Sequence, residues 1–159
     1  MADLCVQYTY SSVKINDTTA GVNRLITSSD KGSITGLDGA PVRSQVDMLA
    51  QTDGGIVHTK FYAPRIITFQ GEVQIQTAAP EDQTAWLTAM NTLEAAVITA
   101  LQAQLNSATT LSWTPTGLSG HSISASYGVP GQEIQFAGPP LVGQRTFSFS
   151  LIAASPTIS

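Results

Sequence analysis

Polar and apolar side chains alternate through most of this chain, and the alternation breaks once, in the middle. From Val6 to Ile15 the apolar Val6, Tyr8 and Tyr10 are separated by polar neighbours, the two-residue period of a half-buried strand. A second strand is expected over Val22 to Thr27. A turn-rich stretch follows, from Asp30-Lys31-Gly32 to Gly36-Leu37-Asp38-Gly39-Ala40-Pro41. Val42 to Ala50 then reads as a strand with Val42, Val46 and Met48 as its apolar positions. Asp53-Gly54-Gly55 is a strong turn signal between two extended runs. Beyond it, Ile56 to Tyr62 alternates again. Ile66 to Gln76 carries the clearest strand pattern, with Ile67, Phe69, Gly71, Val73 and Ile75 on one face.

The break runs from Pro80 to Leu105. Trp86, Met90, Leu93, Val97, Leu101 and Leu105 recur at helical spacing, so the segment predicts one amphipathic helix. Pro80 suits a first helical turn, and Glu81 and Asp82 suit its positive end. The polar face has almost no lysine or arginine, which favours packing on a core over lying on a membrane. Alternation then returns: Thr109 to Thr114 with Leu111 and Trp113, His121 to Tyr127, Glu133 to Ala137, and Gln144 to Ala153 with Phe147, Phe149 and Leu151 on one face. Many short strands and one long helix predict a mainly β (α+β) fold, a β-sandwich with the helix packed on it. No shift in composition marks a boundary, so one domain is expected over residues 1–159.

Composition sharpens this picture in one respect. Charged residues make up only 11% of the 159, against roughly 25% in an average soluble protein. Such a chain either shows a neutral Ser/Thr/Gln-rich surface or hides its surface against other copies. The formal net charge is −4, and the seven cations (Lys14, Arg24, Lys31, Arg43, Lys60, Arg65 and Arg145) are scattered. No basic run exists to neutralise several phosphates together, which argues against attractive nucleic-acid binding. No stretch approaches the length of a membrane span, and the N-terminus lacks the basic and apolar regions of a secretory signal, so synthesis in a cytoplasm is expected.

Chemistry is hard to find. Cys5 is the only cysteine, and reads as a small buried hydrophobe. His58 and His121 are far apart and sit in no metal-ligand spacing. Asp38 and Asp53 directly precede glycine, where aspartate is a turn former. There is no phosphate-cradling glycine loop followed by lysine. The expectation is therefore no enzymatic activity, no cofactor and no metal.

The order of the turns and strands is more telling. Gly36-Leu37-Asp38-Gly39-Ala40-Pro41-Val42-Arg43 precedes Asp53-Gly54-Gly55, and then Tyr62-Ala63-Pro64-Arg65-Ile66-Ile67-Thr68-Phe69-Gln70-Gly71. This succession resembles the N-terminal domain of siphophage distal tail proteins, which has a Val-Arg strand, an Asp-Gly turn and an Arg-x-Ile-x-x-x-Gly strand leading to a helix. The closing run Phe147 to Pro156 resembles that family's last strand, with Ser155 where an Asp is common. The resemblance spans about Gly36 to Pro156 and covers the ring-forming core without a further C-terminal domain.

The resemblance implies a structural virion protein, assembled in the bacterial cytoplasm into a hexameric ring at the tip of a long non-contractile tail. Its neighbours would be further copies, the tail tube protein and the tip hub or baseplate protein. The tape-measure protein and DNA would pass through its opening without specific binding. Asp38, Gly39, Arg43, Asp53, Gly54 and Arg65 are the candidate subunit-interface residues, and the alternatives for the two arginines are ordinary strand-surface cations or pairing within the subunit with Asp47, Asp53 or Glu72. Two other functions compete: a tail tube subunit, and a carbohydrate-binding module for host recognition with Trp113 and the tyrosines as platforms.

Overall fold

The computed structural model describes residues 6–27, 32–39, 41–44, 46–48, 55–57, 61–115, 117–142, 144–155 and 157–159; for 46–48, 55–57 and 61 it describes the backbone alone. The chain opens with a hairpin, β1 (Tyr8–Tyr10) and β2 (Val13–Ile15), where one strand was expected. Tyr10 pairs with Val13, so Ser11 and Ser12 make the turn, and Ser11 takes the left-handed φ of 54°. Serine carries no strong signal for that conformation, so the turn leaves no mark in the sequence. Next come β3 (Arg24–Ile26) and β4 (Ser33–Thr35), the latter between the two turn signals of the turn-rich stretch.

The expected strands over 42–50 and 56–62 are each divided. β5 (Val42–Arg43) pairs with β8 (Phe61–Tyr62), and β6 (Val46–Met48) pairs with β7 (Gly55–Val57). They are two separate two-stranded ladders on one excursion of the chain, the arm, and neither is part of the main sheet. β9 (Arg65–Gln74) follows, then α1 (Gln83–Gln102), β10 (Thr109–Trp113), β11 (His121–Tyr127), β12 (Gln135–Ala137) and β13 (Thr146–Ala153).

The main sheet runs β12-β13-β11-β10-β1-β2-β3-β9-β4, and β13 also pairs with β9. That last pairing covers eight residues, from Thr146 opposite Glu72 to Ala153 opposite Arg65. It closes seven strands (β9, β13, β11, β10, β1, β2, β3) into a barrel, with β4 and β12 attached outside. The mainly β fold with one packed helix is as expected. Its two layers are one sheet that closes on itself, which removes strand edges that an open sandwich would leave. Inside lie the inward residues of every strand, among them Tyr10, Ile15, Leu25, Ile67, Phe69, Leu111, Phe147, Phe149 and Leu151, all essentially inaccessible. The rings of Phe69 and Phe149 stack at 5.2 Å, and Tyr8 meets Phe69 edge-on at 5.6 Å.

Asp82 caps α1, its carboxylate accepting from the Ala85 amide at 3.1 Å, so the helix begins after Pro80 rather than at it. Trp86, Met90, Val97 and Leu101 are the buried stripe. Leu93 is only half-buried against the core, and Leu105 lies past the helix end, 52% exposed. Leu93 therefore matters less than the buried residues on either side of it. Leu101→Ala should destabilise the protein by about 2–5 kcal/mol, and Leu93→Ala by under about 2 kcal/mol. Urea midpoints of the two variants in the reverse order would refute this placement. The helix is also tied to the barrel by Glu94, whose two oxygens accept from Arg145 at 2.7 and 3.2 Å. That hydrogen bond holds the Arg145 guanidinium above its ordinary value.

Tyr10 shows how the closed barrel affects titration. Its hydroxyl donates to the Ala125 carbonyl at 3.0 Å, and burial pushes the phenol up from 10.0 to about 12. The folded value exceeds the unfolded one, so this contribution to stability is complete below pH 10 and fades as pH rises towards about 12. The parent should lose stability across that window, and Tyr10→Phe should lose less. Equal alkaline losses in equilibrium unfolding would count against the assignment.

Candidate functional site

Strands β4, β9, β13 and β12 lie side by side, and their pleat sends alternate residues to the outside. On β9, Ile67, Phe69 and Val73 go inward, so Ile66, Thr68, Gln70, Glu72 and Gln74 face out. On β13, Phe147, Phe149 and Leu151 go inward, leaving Thr146, Ser148 and Ile152 partly exposed outside, with Ser150 on the same side but buried and bonded to Gln132. The registers align these positions into rows across the four strands. One row is Ser33, Gln70, Ser148 and Gln135. A second is Thr35, Thr68 and Ser150, and a third Glu72, Thr146 and Ala137.

In these three rows the face is a hydroxyl and amide surface, and beside them Ile66 opposite Ile152 makes an apolar pair. Glu72 is the face's one charge in these rows, and they hold no lysine or arginine. Hydrogen bonds fix several of its groups: the Thr68 and Ser150 hydroxyls lie 2.7 Å apart, Ser150 donates to Gln132 at 2.6 Å, and Ser33 donates to Gln70 at 3.3 Å. The nearby cations are held by groups outside the three rows. Arg24 on β3 bonds Gln74 and the Asp17 carbonyl, and Arg145 bonds Glu94 and the Gly138 carbonyl. Among the described residues, neither β4 nor β12 pairs on its outer side. The face thus ends in a free strand edge at each side.

The candidate interface residues fall elsewhere, around the root of the arm. Arg65, the first residue of β9, is only 4% exposed. Its guanidinium donates to the carbonyls of Gly36 and Asp38, both at 2.6 Å, across the loop that leads into the arm. Gly36 sits at φ 90° directly over the Ile66 carbonyl, where any side chain would collide with backbone. Asp38 and Gly39 are exposed on this loop, and Arg43 is exposed on β5. Val42 and Tyr62, paired across the arm, are 59% and 68% exposed. Asp53 and Gly54 lie outside the described residues, as do Cys5 and His58. The structure therefore joins Arg65 to Asp38 and its loop, and leaves Arg43 apart from them on the arm.

The polar face itself escaped the sequence reading. Its signal was present as the Ser/Thr/Gln positions between the core residues of the two longest strands, but nothing in the sequence pairs those strands. Trp113 is corrected as a platform for a sugar. It is 9% exposed, with its ring against Tyr8 and His121, both at 5.7 Å. Trp86 is buried too, at the floor of a groove of about 330 Å³ lined also by Glu72, Gln76 and Val142. Among the described residues no group of three or more His, Cys, Asp or Glu is placed to hold a metal ion. No described helix is long and apolar enough to cross a membrane.

No described sequence family and no curated protein sequence matches the chain. Its fold does have a solved counterpart. The chain is similar in structure to the Dit protein of phage SPP1, characterised as a paradigm of the hub adsorption apparatus in phages that infect Gram-positive bacteria. The TM-score is 0.60 at 11% identity, with 95% of this chain and 50% of that one covered. The chain thus spans about half the length of that protein, and at this identity the likeness shows the fold. It is the fold that the order of turns and strands implied.

Proposed function

We propose that this chain is a structural, non-enzymatic subunit of a phage tail tip, six copies closing into a ring whose opening is lined by the β4-β9-β13-β12 face. The observation that carries the reading is that face: a broad polar wall with no lysine or arginine in its rows, bounded by two free edges. A closed ring needs head-to-tail contacts between different surfaces of one subunit. The β4 edge of one copy and the β12 edge of the next are such a pair, and both offer unpaired backbone groups. A wall of hydroxyls, amides and a single carboxylate per copy lets a polyanion slide past, because no cations release counterions to hold it. The fold likeness to a hub protein of a phage tail supports the same placement.

In this reading the further partners are the tail tube protein above, a hub or baseplate protein below, and the tape-measure protein and DNA in transit. The site of action is the virion, after assembly in the bacterial cytoplasm. Electron microscopy of the purified protein tests the proposal directly. Isolated rings of six, single or in pairs, are the expected result. Long stacks of rings would favour the tail tube alternative, and a monomer at every concentration would refute both.

A further inference from the structure

The arm joins the barrel through two strands of chain, residues 36–41 going out and residues 63–65 coming back. The two chains pair in β4–β9 before the root and in β5–β8 beyond it, and between these ladders the Ala63 amide donates to the Pro41 carbonyl at 2.9 Å. Beyond that bond the described root is solvent-facing, with Pro41, Val42, Arg43, Ser44 and Tyr62 all exposed. None of these five described side chains is buried against the barrel. Arg65 does something different: it reaches from the returning chain, inside the barrel wall, to two carbonyls of the outgoing chain. Gly36, pressed against the Ile66 carbonyl, brings those carbonyls within its reach.

From this geometry we infer that Arg65 is a positioning residue for the arm: it locks the outgoing and returning chains together at the root and so fixes the direction in which the arm leaves the barrel. This inference rests on the ring reading above for its consequence, since a fixed arm matters most to a subunit that must meet its neighbours in one geometry. The physical argument is preorganisation. A hinged arm spends only a fraction of its time in the direction that assembly needs, and apparent affinity falls by that fraction. A guanidinium suits the task because one nitrogen carries two donors in a rigid plane, enough to satisfy two carbonyls at once.

The test separates the arm from the barrel and from the ring. Spin labels at Ser44→Cys on the arm and Ser124→Cys on β11, in a Cys5→Ser background, report the distribution of arm-to-barrel distances in dilute protein. The parent should give a narrow distribution. Arg65→Met should keep a cooperative melt and a β-rich circular dichroism spectrum but give a clearly wider distribution. The concentration needed for ring formation should rise about tenfold or more, as for an arm correctly aimed a tenth of the time. Arg65→Gln, which keeps a donor on a shorter stem, serves if Arg65→Met does not fold. A folded variant with the parent's narrow distribution would overturn the inference. So would unfolding of both variants, since the arginine would then be a requirement of the barrel. If the parent itself forms no rings, the ring reading fails, and the width of the distance distribution still decides the role of Arg65.

Discussion

If the chain forms the proposed ring, Gln70→Lys, Ser148→Lys and Gln135→Lys together are expected to make it seize DNA that the parent ring would let pass. The three residues stand in one row across β9, β13 and β12, and Gln70 and Gln135 are exposed. Substitutions at such outward positions change stability by about 0.5 kcal/mol or less, so the subunit should still fold. The formal net charge of each copy moves from −4 to −1, by three added cations on one wall. In the proposed ring that row would repeat in every copy and surround the opening with positive charge. An interface that neutralises about six to ten phosphates loses about 10³–10⁵-fold in affinity between about 50 and 200 mM salt. DNA retention by the triple variant should show that steep dependence, and the parent should show little retention at any salt. The control places the same charge on another part of the barrel, with Thr110→Lys, Ser112→Lys and Ser124→Lys at exposed positions of β10 and β11. Equal retention by the control and by the row variant would show that the polar face does not line the opening.

Gly71→Val should prevent the barrel from closing. Residue 71 lies where β9 changes partners on one side, from β4 at residues 68–70 to β3 at residues 72–74, while the other side stays paired with β13. The Ile26 carbonyl crosses so close over Gly71 that a Cβ would run into it, and the Phe147 ring lies 3.0 Å from the same point. Neither neighbour has room to retreat: Ile26 is held in register with Glu72, and Phe147 packs against Phe149 in the core. Overpacking of a closed core costs about 1–3 kcal/mol and more where backbone must move. Gly71→Val is therefore expected to lose about 3 kcal/mol or more, and Gly71→Ala a smaller share, in urea unfolding. A Gly71→Val protein with the parent's midpoint would mean that β3 and β9 do not meet as described.

The residues that were legible in advance are those whose environment is set by their own strand or helix. The run of Ile67, Phe69, Gly71 and Val73 shows the buried side of β9 from alternation alone. Phe147, Phe149 and Leu151 do the same for β13, and Trp86, Met90, Val97 and Leu101 do so for α1. Alternation is a local property, because neighbouring side chains of a strand must point to opposite sides. It also separates inward from outward positions, so the polar character of Thr68, Gln70, Ser148 and Gln135 was visible as well. Local punctuation was less reliable. Ser11-Ser12 turns the chain without glycine or asparagine, and β4 sits in a stretch rich in turn residues because β9 supplies its partner.

What the tertiary structure alone decided is which strands meet. β9 and β13 are separated by the helix and three strands, yet their pairing closes the barrel and brings two polar stripes into one face. Other contacts between distant segments bury Trp113, which its strand pattern left open as a surface ring, and leave Leu105 outside, although its spacing matched the stripe. They also turn Arg65 inward, where carbonyls of a loop almost thirty residues earlier accept its protons. Each of these outcomes depends on a partner distant along the chain. A sequence period records only the side of an element on which a residue lies. Register and closure depend on the whole set of strands, and the sequence by itself therefore determined the elements and their faces, while the fold decided what those faces meet.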